Sequence, residues 1–464
     1  MSQTAGLNRR SFLRNTGLTA LVGAVGSSTS LGATAAAAVL DFAPDANGKF
    51  DFDTPVNRLG TDSVKWDQAK RQNNMDTIIA GMGIADMDFN TAPVITKALQ
   101  ERIKHEVWGY LDMPKDFVEG IVAWNNKRYG LKVDPELTVI TTGVHPGIIA
   151  TLRAYTPPGT KVLLTTPTYN GFYGDLRYTG TKPEESLMKV VDGRFQIDFD
   201  DFEKRISLDT NAFILCNPQN PTGNTWSPED LTRIGEICLR HRVLVIADEI
   251  HCDFVTKGNK YTPFSSLPNK KIVDNSVTYK AASKSFGLAA MKCAWLFSTN
   301  AEHIKRIKEM NRADLTTLGM IASRAAYHGG EEWLNQCVDY IDGNHDFATK
   351  FIAANVPLVK TYKKAQGTYL MWIDLTELGN RIGAKETAAS AKGRGGNTMT
   401  AEEVTVAWLA KNAKIALNAG NTYGLGGANH ARMNIATSRK TLEAALTSMA
   451  RACDGLKKTS TAAL

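Results

Sequence analysis

The chain alternates short apolar runs with longer stretches of helical periodicity. Residues 137–141, 161–165, 212–216, 243–247 and 277–279 are largely apolar or β-branched, the pattern of strands buried on both faces of a sheet. Around them, apolar side chains recur at helical spacing: Val94, Ile95, Ala98 and Leu99 within 92–104, and Phe117, Ile121, Val122 and Trp124 within 116–129. The stretch from 301 to about 347 reads as helical, and 367–375 alternates as a strand. Strands interleaved with helices predict an α/β fold around a mainly parallel sheet, whose ligands gather at the strand carboxyl ends.

Polar residues stand at those ends. The 212–216 run leads into Asn217-Pro218-Gln219-Asn220-Pro221-Thr222-Gly223, the 243–247 run into Asp248-Glu249-Ile250-His251, and 277–279 toward Ser283-Lys284-Ser285-Phe286-Gly287. An Asn, an acid and a Lys thus arrive at one sheet edge. A buried carboxylate such as Asp248 can keep a pyridine nitrogen protonated by direct charge pairing. Lys284 can condense with an aldehyde and then act as the base that removes a proton from a substrate α-carbon. Asn220 can hydrogen-bond a ring hydroxyl. Together these are the protein's half of pyridoxal 5′-phosphate (PLP) chemistry. Upstream, 142–147 turns a strand into a helix, and the free N–H groups and positive dipole of such a turn suit a phosphate dianion.

The order Asn-Pro-x-Asn-Pro-Thr-Gly, Asp-Glu-Ile-His, Ser-Lys-x-Phe resembles the fold-type I PLP enzymes, the aspartate aminotransferase superfamily. Four segments narrow the resemblance to the MalY/PatB group of carbon–sulfur β-lyases: Ala85-Asp86-Met87-Asp88-Phe89, Gly109-Tyr110, Asp248-Glu249-Ile250-His251 and Thr368-Tyr369-Leu370-Met371-Trp372-Ile373-Asp374. The resemblance implies a large domain built on a mainly parallel seven-stranded sheet and a smaller α+β domain. It implies that Val144, His145, Ser283 and Lys292 hold the phosphate, that Tyr169 stacks on the pyridine face, and that Arg432 grips the substrate α-carboxylate. Tyr110 is implied to reach the phosphate of a neighbouring subunit, which makes a homodimer with shared sites. The family usually has Trp at Gly83, a small apolar residue at His145 and Arg at Lys292. These departures leave a more open pocket wall at 83, a His145 side chain of undecided direction, and a phosphate held more by Ser283 and backbone groups.

His251 stands where many aminotransferases of this fold carry Tyr. With residues 85–89 it favours β-elimination on a sulfur amino acid such as cystathionine or a cysteine conjugate, giving thiol, pyruvate and ammonia. The alternative is an aminotransferase exchanging an amino group with a 2-oxo acid. A PLP-holding regulator is a third reading, against which the retained Lys284, Asp248 and Arg432 weigh.

Composition adds bounds. The 464 residues exceed the usual size of one core, and 43% hydrophobic with 22% charged residues marks an ordinary globular chain. The net charge of +7 gives no pointer to nucleic acid. Asn8-Arg9-Arg10-Ser11-Phe12-Leu13-Arg14 resembles the twin-arginine export motif, followed by a moderately apolar stretch at 16–31 and Ala-x-Ala sites within 33–38. This predicts a signal peptide at 1–38, the twin-arginine translocase as partner, and a periplasmic or otherwise exported protein, a route that carries folded, cofactor-loaded enzymes. The remaining chain is expected to divide into an N-terminal arm with part of the small domain (39–104), the large PLP-binding domain (105–310), and a linking helix with the rest of the small domain (311–464). Within the last, 379–400 reads as a mobile insertion. The six cysteines, at 216, 238, 252, 293, 337 and 453, show neither a Cys-x-x-Cys pair nor metal-ligand spacing.

Overall fold

A computed structural model describes residues 43–393 and 396–461, with side chains through 456; the twin-arginine stretch lies outside the described residues. From Pro44 onward the chain forms one unit. Its central sheet has seven strands: β1 (Thr138–Thr141), β2 (Lys161–Thr166), β3 (Lys182–Leu187), β4 (Thr210–Cys216), β5 (Leu244–Asp248), β6 (Ser276–Lys280) and β7 (Ala294–Phe297). The order is β1-β7-β6-β5-β4-β2-β3, parallel except for β7.

The continuous apolar runs follow from burial of both sheet faces. Successive residues of β4 and β5 alternate between two cores: Ala212, Ile214, Leu244 and Ile246 pack on one side, Phe213, Leu215, Val245 and Ala247 on the other. A second sheet joins β8 (Lys360–Thr361), β9 (Leu370–Asp374), β10 (Asn418–Ala419) and β11 (His430–Asn434) in the antiparallel order β8-β9-β11-β10. Met371, Ile373, Met433 and Ile415 of this region pack with Ile352, Leu409 and Leu446 in a core of their own.

Three stretches differ from the pattern reading. The helical segment from 301 is three helices, Ala301–Met310, Thr317–Gly329 and Glu331–Asn355. Thr316 starts the second by accepting a hydrogen bond from the Gly319 amide, and Gly330 separates it from the third. Residues 83–89, which read as a short strand leading to a loop, are irregular throughout, and the strand lies just before them, where Ala80–Gly81 pairs with Ile415–Ala416. Within 379–400, Ala384–Ser390 is helical with Ala384 and Ala388 buried, a face made of alanines too small to register as apolar periodicity.

Candidate active site

The carboxyl ends of β1, β2, β4, β5 and β6 surround a cavity of about 580 Å³, within the range of small-molecule sites. Val144 and His145 enter it from the turn after β1, Tyr169 from that after β2, and Asn220 from the loop after β4. Asp248 and His251 come from the end of β5; Ser283, Lys284 and Lys292 follow β6. Register fixes the acid in the middle, since Asp248 lies opposite Cys216 on one side and Tyr279 on the other.

Asp248 is buried, and its carboxylate accepts one hydrogen bond, from the Ile250 amide at 3.1 Å. Among the described residues no basic side chain pairs with it, so burial pushes its carboxyl up to about 6. Lys284 Nζ donates to the Ala85 carbonyl at 2.8 Å. Burial, then the nearby Arg432 guanidinium, bring its amine down to about 8, against the attraction of Asp86 and Asp248. His251 is buried against the Tyr369 ring, 5.5 Å between centroids, and its Nδ1 has no partner. Burial, with Lys284 and Arg432 nearby, holds its imidazole well below its ordinary value and therefore neutral.

Arg432, on β11, is buried and joins the site from the second sheet. One guanidinium nitrogen donates to Asn220 Oδ1 at 3.1 Å, the other to the Gly83 carbonyl at 2.7 Å, and Nε has no partner. Its face lies over the Tyr423 ring at 5.3 Å. Two cations are thus capped by carbonyls of one segment, Gly83 on Arg432 and Ala85 on Lys284. Asn434 Nδ2 holds the carbonyls on either side of Ala85, those of Ile84 and Asp86, at 2.6 Å each.

That segment is pinned from the N-terminal arm. Buried Lys65 donates to the Asp86 carbonyl at 2.9 Å and to Asp88 at 2.8 Å, Trp66 Nε1 reaches Asp88 at 2.9 Å, and Arg58 bridges Asp86 and Asp88 at 2.8 and 3.0 Å. Below the site, Asp253 accepts from Tyr129 and from Ser285, the neighbour of Lys284. Neither network has a spacing that sequence reading could have found, because each joins residues far apart in the chain.

The residues named from sequence fall in three groups. Val144, His145, Tyr169, Asn220, Asp248, His251, Ser283, Lys284 and Lys292 line one cavity, and Arg432 is bonded to it through Asn220. Lys292 is exposed, in left-handed backbone geometry at φ 54°. Tyr110 stands apart: it is fully exposed, with Val107 and Trp108 beside it, and contributes nothing to this chain's cavity. The opening expected at Gly83 is filled, since a Cβ there would meet Asn418 Oδ1 at 2.5 Å. The direction of His145 is now clear: Nδ1 meets Asp175 and Nε2 meets the Tyr169 hydroxyl.

The donor set fits PLP on its own chemistry. An unpaired buried carboxylate at Asp248 calls for a cation, which a protonated pyridine nitrogen supplies, and Lys284 offers an amine of lowered basicity to an aldehyde. Fold and site together define a PLP-dependent enzyme of fold type I. The chain belongs to the aminotransferase class I and II family, which matches residues 77–449. It is 33% identical over 398 residues to the cystathionine β-lyase PatB of Bacillus subtilis, covering 85% of this chain and 97% of that protein. Among solved structures, it is 27% identical to PLP-containing cystalysin from Treponema denticola, with a TM-score of 0.79 over 88% of this chain and 99% of the other. It is also 27% identical to the PLP-bound C–S lyase from Staphylococcus hominis, with a TM-score of 0.76 over 87% and 99%.

Proposed function

We propose that the chain is a PLP-dependent carbon–sulfur β-lyase acting on a sulfur amino acid such as cystathionine or a cysteine conjugate, releasing thiol, pyruvate and ammonia. The observation that carries this is a basic amine of lowered pKa and a buried arginine meeting at one cavity, in a chain aligned with PatB over 97% of that protein's length.

When bound, PLP supplies the electron sink for the pair left at the substrate α-carbon. Lys284 Nζ, brought to about 8, is in part neutral at neutral pH and takes the α-proton. Arg432, held in place by Asn220 and Gly83, offers its remaining N–H donors to the substrate carboxylate, a pairing suited to the planar guanidinium. Asp248 would keep a proton on the ring nitrogen, the Nδ2 of Asn220 would donate to the ring hydroxyl, and Tyr169 would pack against the ring. The turn at Val144 and His145, with Ser283 and Lys292, would receive the phosphate, and neutral His251 has an unpartnered Nδ1 in the same enclosure.

Formation of pyruvate and thiol from a sulfur amino acid, with no 2-oxo acid present, tests the reading. Lys284→Ala is expected to abolish the visible absorbance of the bound cofactor and nearly all turnover while the far-UV circular dichroism stays unchanged. Full turnover in that variant would contradict it.

Two parts of the reading concern the whole protein. The exposed Val107, Trp108 and Tyr110 support a homodimer in which Tyr110 serves the neighbouring site. The Arg9-Arg10 motif supports export by the twin-arginine translocase to the periplasm.

A further inference from the structure

Asp175 carries no motif, yet it completes a chain of three polar groups at the cavity edge. It is buried on the helix Gly171–Thr179, and its two carboxylate oxygens lie 2.8 and 3.0 Å from His145 Nδ1. On the far side of the imidazole, Nε2 is 3.2 Å from the Tyr169 hydroxyl. The close approach depends on Gly171, where a Cβ would come within 2.5 Å of the His145 ring and 2.6 Å of the Tyr169 ring.

Hydrogen-bond direction follows from the donors available. An ionised Asp175 only accepts, so Nδ1 of His145 carries a proton in either charge state. On the imidazolium, Nε2–H donates to the Tyr169 oxygen, and the phenolic proton is free to point into the cavity that Tyr169 lines. On the neutral ring, Nε2 accepts that proton instead.

We infer that Asp175 and His145 are a positioning pair that aims the Tyr169 proton into the cavity and relays a solvent proton behind it. This rests on the β-lyase reading. As the carbon–sulfur bond breaks, the pair left at the α-carbon by proton removal forms the Cα=Cβ double bond, the carbon–sulfur pair stays on sulfur, and the Tyr169 hydroxyl gives its proton to the departing thiolate. His145 Nε2–H passes its proton to the Tyr169 oxygen, and the half-exposed imidazole, 42% accessible at the side chain, takes another from water. No oxidant or further reactant is needed.

The groups facing His145 favour its charged form on balance. Burial opposes the charge, as does Lys284 across the cavity, but the Asp175 hydrogen bond and charge, with Asp248, outweigh them and raise the imidazole above its ordinary value. Tyr169, pushed up to about 12 by burial, keeps its proton until an acceptor arrives.

The test compares leaving groups on the PLP-loaded enzyme. S-Ethyl-L-cysteine must shed a strongly basic thiolate, whereas β-chloro-L-alanine sheds chloride, which needs no proton. With His145→Gln and with Tyr169→Phe, the loss in kcat for S-ethyl-L-cysteine should exceed that for β-chloro-L-alanine by about tenfold or more, within the range of general acid catalysis. The high-pH decline of the S-ethyl-L-cysteine profile should move to lower pH in Asp175→Asn. Equal losses on both substrates would mean that the pair merely supports the fold, and no loss on either would deny it any part; each overturns the relay alone. If the unaltered enzyme forms pyruvate from neither substrate, the β-lyase reading and the relay fail together.

Discussion

Arg432 donates to Asn220 Oδ1 at 3.1 Å, which ties the second sheet to the loop after β4. The same guanidinium is held by the Gly83 carbonyl at 2.7 Å, which fixes its plane and leaves the unpartnered Nε–H and the second hydrogen of each terminal nitrogen to meet a substrate carboxylate. Arg432→Lys keeps a charge but loses the fork. The expected result is a bound cofactor with unchanged absorbance and a kcat/KM lowered by about 10–10²-fold, mainly through KM, as for loss of one charge-assisted hydrogen bond. Steady-state kinetics with absorbance spectra of the same samples check this, and unaltered KM would remove Arg432 from the substrate site.

Asp248 gives a prediction of opposite sign for stability and activity. Its folded carboxyl is raised from 3.8 to about 6, so its contribution to the stability of cofactor-free protein is present below 3.8 and lost as pH rises through about 6. Asp248→Asn removes that loss. Stripped of cofactor, the variant should melt above the parent at pH 8 and match it at pH 4, while its PLP affinity and turnover fall. Thermal scans across that pH range decide it; a lower melting point at pH 8 would show that the carboxylate is satisfied in some other way.

The reach of sequence reading can be traced through these residues. Asp248 was legible because it ends an unbroken apolar run, and Asn220 and Lys284 because they follow two more runs that become adjacent strands. Asp175 was not, for it lies on an ordinary amphipathic helix and acquires its role only when that helix packs on the turn after β1. The carbonyls of Gly83 and Ala85 were equally hidden, since main-chain atoms leave no mark in a sequence. The single helical pattern from 301 concealed two breaks, because Thr316 and Gly330 interrupt the helix without interrupting its polarity.

His345 is expected to contribute to the loss of stability in acid. Its Nε2 donates to the Thr368 carbonyl at 3.1 Å, its buried Nδ1 has no partner, and burial lowers the imidazole to about 4. A depressed folded value means that stability is present above 6.5 and lost as pH falls from there toward 4, on the order of 3 kcal/mol in all. His345→Gln should flatten the fall in melting temperature between pH 6.5 and 4. His251 is shifted the same way by burial, so a residual slope is expected. An unchanged slope would mean that His345 is protonated in the folded protein.

The most direct measurement is the fate of L-cystathionine on purified PLP-loaded protein with no 2-oxo acid added, following pyruvate, free thiol and the cofactor spectrum together. A β-lyase built on Lys284 and Arg432 releases pyruvate and thiol in equal amounts over many turnovers, with the cofactor spectrum restored at the end. Conversion of the cofactor to its amine form, reversed by a 2-oxo acid and without pyruvate release, would contradict the account and make the chain an aminotransferase.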